Sequence, residues 1–200
     1  MHYEDHQAEV HRVVVGPMDN NVFVLRCKAT GQAVLVDAAN EADRLLAMCR
    51  SLGVRLVLQT HGHHDHIGAV PALRHAGYGV GIGTGDAPML PGADFTIEDD
   101  AVFDVGRLRL HALATPGHTR GSMCFLVEDS PVLFAGDTLF PGGPGKTSGA
   151  GGDFPTIIRS IEERLFSCLA PDTVVMPGHG EDTIIGAEQP HLDEWVERGW

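Results

Sequence analysis

The apolar positions of this chain fall into short alternating runs, then helical spacings, then alternating runs again. His11–Val15, Asn21–Cys27 and Ala33–Val36 are β-branched or alternating stretches set off by Gly-Pro, Asp-Asn and Thr-Gly turns, and they predict strands. Across Glu41–Leu52 the residues Leu45, Leu46, Cys49 and Leu52 recur at helical spacing, and Gly53 predicts the stop. Arg55–Gln59 is an apolar run suited to a buried strand. Ile67–His75 predicts a helix ended by Gly77, with Pro71 accommodated in its first turn. Tyr78–Ile82, Phe95–Phe103, Arg107–Leu113, Met123–Val127, Val132–Phe134 and Thr173–Met176 predict further strands. Phe154–Leu169 places Ile157, Ile158, Ile161, Leu165 and Cys168 on one helical face, and Glu188–Glu197 predicts a closing helix around Trp195.

A strand meander followed by helix and strand, with that order approximately repeated, suits two sheets covered by helices. We expect a single domain over residues 1–200. The only compositionally biased stretch is Pro141–Gly152, rich in Gly, and a loop of that length in a compact domain is usually functional or mobile.

Composition narrows the function. Hydrophobic residues make up 43%, which excludes disorder, and no apolar run is long enough for a bilayer. The Met1–His6 segment lacks the basic and apolar regions of a signal peptide, so a cytoplasmic protein is expected. The net charge of −13, with no basic face, argues against nucleic acid. It does not exclude a small anionic substrate, because bound cations dominate a local field. Cys27, Cys49, Cys124 and Cys168 form no C-x-x-C pair and are expected as reduced thiols in or near the core.

The chemistry concentrates in Thr60-His61-Gly62-His63-His64-Asp65-His66, directly after the buried strand. In an extended segment His61 and His63 point the same way and can grip one ion. Asp65 and His66, at the turn into the next helix, would aim at a second point. His64 has the parity of the opposite face and should not touch metal. The strings Thr115-Pro116-Gly117-His118-Thr119, Phe134-Ala135-Gly136-Asp137-Thr138 and Met176-Pro177-Gly178-His179-Gly180 each place one ligand after a strand, beside a Gly that permits close approach. The remaining histidines, His2, His6, His11, His75, His111 and His191, have no ligand-like context. Gly145-Lys146-Thr147 is not a phosphate loop, since Phe140 stands where its first Gly is needed.

These strings resemble the metallo-β-lactamase superfamily, with its H-x-H-x-D-H signature and later His, Asp and His. The resemblance runs from about Val14 to His179 and implies an α/β fold, an αββα sandwich of two mixed sheets with outer helices. It implies a first ion held by His61, His63 and His118, a second held by Asp65, His66 and His179, and Asp137 as the bridge. An Asp rather than a Cys at 137 resembles the glyoxalase II-like branch. Two divalent ions follow, zinc first, with iron or manganese also suited to imidazole and carboxylate. Two ions about 3.5–4 Å apart would make hydroxide available at neutral pH and polarise a carbonyl. Asp65 and Asp137 are then the catalytic carboxylates, and Asp37 lies behind the metals on a ligand imidazole. Lys146 in the Gly-rich loop and Arg120 after His118 are candidate substrate-binding cations. Full-length glyoxalase II carries a helical extension beyond the last His, and only a short stretch follows His179 here. The expected activity is therefore hydrolysis of an anionic thioester, of glutathione or of another low-molecular-weight thiol. A persulfide dioxygenase with one iron and a lactonase are the alternatives.

Overall fold

The structure, a computed structural model, describes residues 1–199. The first sheet runs in chain order: β1 (Tyr3–Glu4), β2 (Ala8–Val15), β3 (Asn20–Cys27), β4 (Ala33–Val36), β5 (Val54–Gln59), β6 (Gly79–Gly83) and β7 (Phe95–Ile97). Neighbours from β1 to β4 are antiparallel, and those from β4 to β7 are parallel. The parallel half needs crossovers, and the helices supply two of them. These are α1 (Ala42–Leu52), then the pair α2 (His64–Ile67) and α3 (Val70–His75).

The second sheet begins with the antiparallel strands β8 (Val102–Val105), β9 (Leu108–Ala114), β10 (Met123–Val127) and β11 (Val132–Gly136). A small ribbon, β12 (Leu139–Phe140) and β13 (Gly143–Pro144), leads to α4 (Phe154–Ser160). Strand β14 (Val174–Pro177) then returns parallel to β11, and β15 (Thr183–Ile184) pairs with it at the edge. Helices α5 (Ile185–Glu188) and α6 (Leu192–Arg198) close the described chain.

Strand alternation explains why the two sheets face each other. Phe23, Leu25 and Cys27 of β3 point inward to meet Met123, Phe125 and Val127 of β10 and Phe134 of β11, while Val22 and Val24 point out beneath α1 and α3. The outer face of the second sheet, Cys124, Leu133 and Val175, is covered by Ile157, Ile161, Leu165 and Trp195. Helix, sheet, sheet and helix form four layers, as the resemblance implied. Among the described residues no helix is long and apolar enough to cross a membrane.

Several element boundaries differ from the sequence reading. Phe95–Phe103 was expected as one strand; β7 and β8 belong to different sheets, and the chain crosses between them through Asp100, whose φ is 59°. The Ile67–His75 helix starts earlier and is interrupted at Gly68–Ala69, which lets α2 carry Asp65 and His66 at an angle of its own; Pro71 does lie in the first turn of α3. Phe154–Leu169 changes from α to π turns at Ile161–Phe166. The closing helix is broken by a 3-10 turn at Gln189–His191. Cys168 is exposed rather than in the core; the other three cysteines are buried.

Candidate metal centre

The loops after β5, β9, β11 and β14 all open at one edge of the two sheets, and each delivers one part of the cluster. His61 and His63 follow β5, and Asp65 and His66 ride on α2. His118 follows β9, Asp137 follows β11, and His179 follows β14. The structure thus brings together all seven candidate ligands. Their donor atoms form three groups, His61/His63/His118, His61/His66/Asp137 and Asp65/His66/His179, and within each the atoms lie within 4.8 Å of one another. His118 Nε2 is 2.9 Å from His63 Nδ1, and His66 Nε2 is 3.2 Å from His179 Nε2. Asp137 lies between the trios: Oδ1 is 3.5 Å from His66 Nε2, and Oδ2 is 3.6 Å from His118 Nε2 and 3.7 Å from His179 Nε2. Ligands about 2.0–2.1 Å from a tetrahedral ion would be separated by roughly 3.3 Å, so this spacing fits such an ion.

Two buried polar atoms support that fit. His61 Nε2 and Asp137 Oδ1 have no hydrogen-bond partner, although both face the cluster. An orphaned buried nitrogen and a carboxylate oxygen are costly unless something binds them, and a divalent cation is what this donor set would bind.

Four of the five imidazoles, those of His61, His66, His118 and His179, are oriented from behind, so that the inward nitrogen is free to coordinate. His66 Nδ1–H donates to Asp37 Oδ2 at 2.7 Å. His61 Nδ1–H donates to the Thr60 hydroxyl at 3.1 Å, and that hydroxyl donates to Asp37 Oδ2 at 2.8 Å. His118 Nδ1–H donates to the Lys146 carbonyl at 2.7 Å, and His179 Nδ1–H to the Met18 carbonyl at 2.9 Å. Asp37 therefore braces two rings, His66 directly and His61 through Thr60.

Burial and the neighbouring rings push His61 well below the usual histidine range. Burial, with His118 beside it, lowers His63 too. Both rings are thus neutral at neutral pH. His66 behaves oppositely: burial opposes its charge, but Asp37, Asp137 and Asp65 raise it to about 9. Asp65 is held well below the ordinary carboxyl range; burial works against this, but bonds from His179 and Asn20 prevail.

The cluster forms the floor of a cavity of about 460 Å³ whose rim includes Met18, Lys146, Ser148 and Gly149. Lys146 is exposed there. Arg120 is exposed but lies beyond the Gly-rich loop, beside two other cavities that it shares with Gly151. His64 stands at the rim with its side chain 89% exposed and belongs to none of the donor groups. Gly178 explains the Pro-Gly-His string: a Cβ there would collide with Asp137 Oδ1 and His66 Cε1.

Sequence reasoning missed three contributors. Asn20 donates to Asp65 Oδ2 at 2.9 Å and lies 3.3 Å from His179 Nε2. Asn21 donates to the Pro177 and Gly180 carbonyls that flank His179. Their Asp-Asn-Asn turn was visible, but nothing in it pointed at a loop some 160 residues away. Met18, 52% exposed, sits on the same hairpin turn.

The fold is shared with known proteins. The model of the metallo-beta-lactamase superfamily matches residues 15–179. A hydroxyacylglutathione hydrolase of Rhodospirillum rubrum is 34% identical over 175 residues, 86% of this chain and 66% of that protein. The solved structure of BLEG-1 B3 metallo-beta-lactamase superposes with a TM-score of 0.82 at 30% identity, covering 92% of this chain and 98% of that one. TTHA1623 in a di-iron-bound form superposes at 0.79 with 30% identity, covering 90% and 96%.

Proposed function

The chain belongs to the metallo-beta-lactamase superfamily, and from that premise we propose that it is a two-metal hydrolase of thioesters carried on an anionic low-molecular-weight thiol. The observation that carries the two-metal reading is the pair of orphaned atoms, His61 Nε2 and Asp137 Oδ1, buried among converging donors. His61, His63 and His118 would hold one ion and Asp65, His66 and His179 the other, with Asp137 available to both. Zinc suits the nitrogen and oxygen set, and the di-iron relative supports iron as the alternative. When bound, such ions activate water as a nucleophile and polarise the scissile carbonyl.

The chain's own residues do the rest. Asp65, kept ionised by His179 and Asn20, accepts a hydrogen bond from the attacking water and orients it. Asp137 keeps the two trios at a fixed separation. The cavity offers few proton donors outside the donor cluster: His64 and Lys146 are the ionisable side chains left on its lining, and both are exposed. A thiolate can leave without protonation, since its conjugate acid has a pKa near about 8.5, whereas an amine leaving group needs a proton. The likeness to a hydroxyacylglutathione hydrolase supports the same substrate class. Four unpaired cysteines fit a reducing, cytoplasmic setting.

The test is elemental analysis of the reconstituted protein, combined with turnover of a thioester, a lactone, a β-lactam and a persulfide. About two ions per chain and preference for the thioester are expected. One iron with oxygen uptake on the persulfide would replace the reading with a dioxygenase; preference for the lactone would replace it with a lactonase. Asp137→Ala should lose metal and activity together, and His64→Ala should keep both.

A further inference from the structure

We propose that Asp86 is a positioning residue that assembles the His61/His63/His118 trio by fastening its two loops to each other. Asp86 lies on the 3-10 turn Thr84–Met89 that follows β6, and it is fully buried. Among the described residues no cationic side chain is bonded to it. Its Oδ2 accepts the Gly62 N–H at 2.9 Å and the Thr119 hydroxyl at 2.6 Å, and its Oδ1 accepts the Gly121 N–H at 2.8 Å. Gly62 separates His61 from His63, and Thr119 follows His118. One carboxylate thus spans the two chain segments that carry the whole trio.

Burying a carboxylate is costly unless its oxygens are satisfied, and here they are satisfied by loop donors alone. The neighbours have made room: a Cβ on Gly121 would collide with the Asp86 backbone nitrogen, and one on Gly62 would lie 2.6 Å from Met89 Cβ and 3.4 Å from Asp86 Cβ. The chemistry is specific to a carboxylate. An amide at this position would turn its NH2 toward an N–H or a hydroxyl that already donates. Asp86 has no bond to Asp65, His66 or His179, whose supports are Asp37, Asn20 and the Met18 carbonyl. Its influence should therefore fall on one ion and not on the other.

This inference rests on the two-metal reading. It is tested by zinc affinity, measured by chelator competition, in two backgrounds. His179→Ala disables the second trio and leaves the His61 trio, and His118→Ala does the reverse. Asp86→Asn should weaken zinc about 10–100-fold in the first background, the range typical for groups that orient metal ligands, and less than about twofold in the second. The matched control is Asp5→Asn. Asp5 also accepts two backbone N–H groups, of Gln7 and Ala8, and one hydroxyl, of Ser130, but in the turn between β1 and β2. It should lower the melting temperature and leave both affinities alone. Should Asp86→Asn fail to fold, Thr119→Val removes one of the three donors and Thr119→Ser restores it; weakened zinc in the first, recovered in the second, supports the role. Equal losses in both backgrounds, or a lowered melting temperature with unchanged affinity, would overturn it. A wild-type chain that saturates with one ion overturns the two-metal reading instead, and Asp86→Asn against Asp5→Asn on that ion still decides the role of Asp86.

Discussion

Asp37 Oδ2 stands 2.7 Å from His66 Nδ1, both side chains are buried, and the same oxygen takes the Thr60 hydroxyl that supports His61. One carboxylate oxygen therefore orients a ring from each trio. Its other oxygen accepts the Thr60 N–H at 2.7 Å, so every partner of the Asp37 carboxylate is a donor. Its backbone is left-handed, with φ at 63°, a conformation that Asn also tolerates.

Asp37→Asn accordingly preserves the backbone but turns an NH2 toward a donor. We expect both ions to weaken, each by about 10–100-fold, in contrast to the one-sided loss expected at Asp86. Stepwise zinc titration of Asp37→Asn would show it. Loss of one ion alone would mean that the Thr60 relay to His61 contributes nothing.

Gly178 tests how tightly the bridge is packed. Because a Cβ there would meet Asp137 Oδ1 and His66 Cε1, Gly178→Ala must displace either the bridging carboxylate or a ligand ring. Metal content should fall below two ions per chain, while the circular dichroism of the sheets is retained. Full metal occupancy in this variant would show that the loop after β14 can move away at little cost.

The candidate ligands stood out in the sequence because His118, Asp137 and His179 each follow a strand beside a Gly, and because His61, His63, Asp65 and His66 crowd together directly after another strand. What supports them did not. Asp86 is one acid in Thr84–Met89, and its partners lie in loops that only the folded chain brings to it. The crossing at Asp100 was overlooked because Phe95, Ile97, Ala101 and Phe103 share one alternating parity, and the three acids Glu98, Asp99 and Asp100 that break the run were its signal. The change to π turns at Ile161 leaves helical apolar spacing nearly intact. Pairs as short as β12 and β13 carry too few residues for any period to appear.

Protons should compete with metal at one trio more than at the other. His66 is raised to about 9 by Asp37, Asp137 and Asp65 against the effect of burial, and His179 is raised mainly by Asp65, whereas His61 and His63 are lowered. At neutral pH the metal-free His66 ring holds its proton and must release it to bind. Affinity at the Asp65/His66/His179 trio should rise with pH until about 9, and affinity at the His61 trio should be nearly flat above pH 7. Calorimetry in buffers of different ionisation enthalpy would count the protons; equal release at both trios would contradict it.

Thiol reactivity should follow access before acidity. Cys27 is lowered to about 7: burial opposes this, but bonds from Thr30 and the Arg107 N–H outweigh it. It is nonetheless buried. Burial pushes Cys49 and Cys124 up to about 11, and Cys168 is exposed. A thiolate reacts only where a reagent can reach it. Brief alkylation of the folded protein at neutral pH should label Cys168 alone, and unfolding should expose all four. Labelling of Cys27 at the rate of Cys168, read by peptide mass spectrometry, would mean that the loop at Thr30 opens readily.

Lys146 offers the sharpest separation of binding from chemistry. Its carbonyl holds His118 Nδ1 at 2.7 Å, while its side chain is exposed on the cavity rim. Lys146→Ala keeps the carbonyl and so should leave the metal ligand in place, removing only the ammonium. Where that ammonium meets a carboxylate of the carrier thiol, its loss should weaken an anionic thioester about fivefold to a hundredfold. The contact is the same in the ground and transition states, so the effect should appear in KM, with kcat within a few-fold. A neutral thioester makes no such contact and should be nearly indifferent. Raised salt should reduce the advantage of the wild type on the charged substrate, since the group is open to solvent. Steady-state kinetics on a charged and neutral pair decide it: equal losses on both, carried in kcat, would mean that the side chain governs the placement of His118 after all.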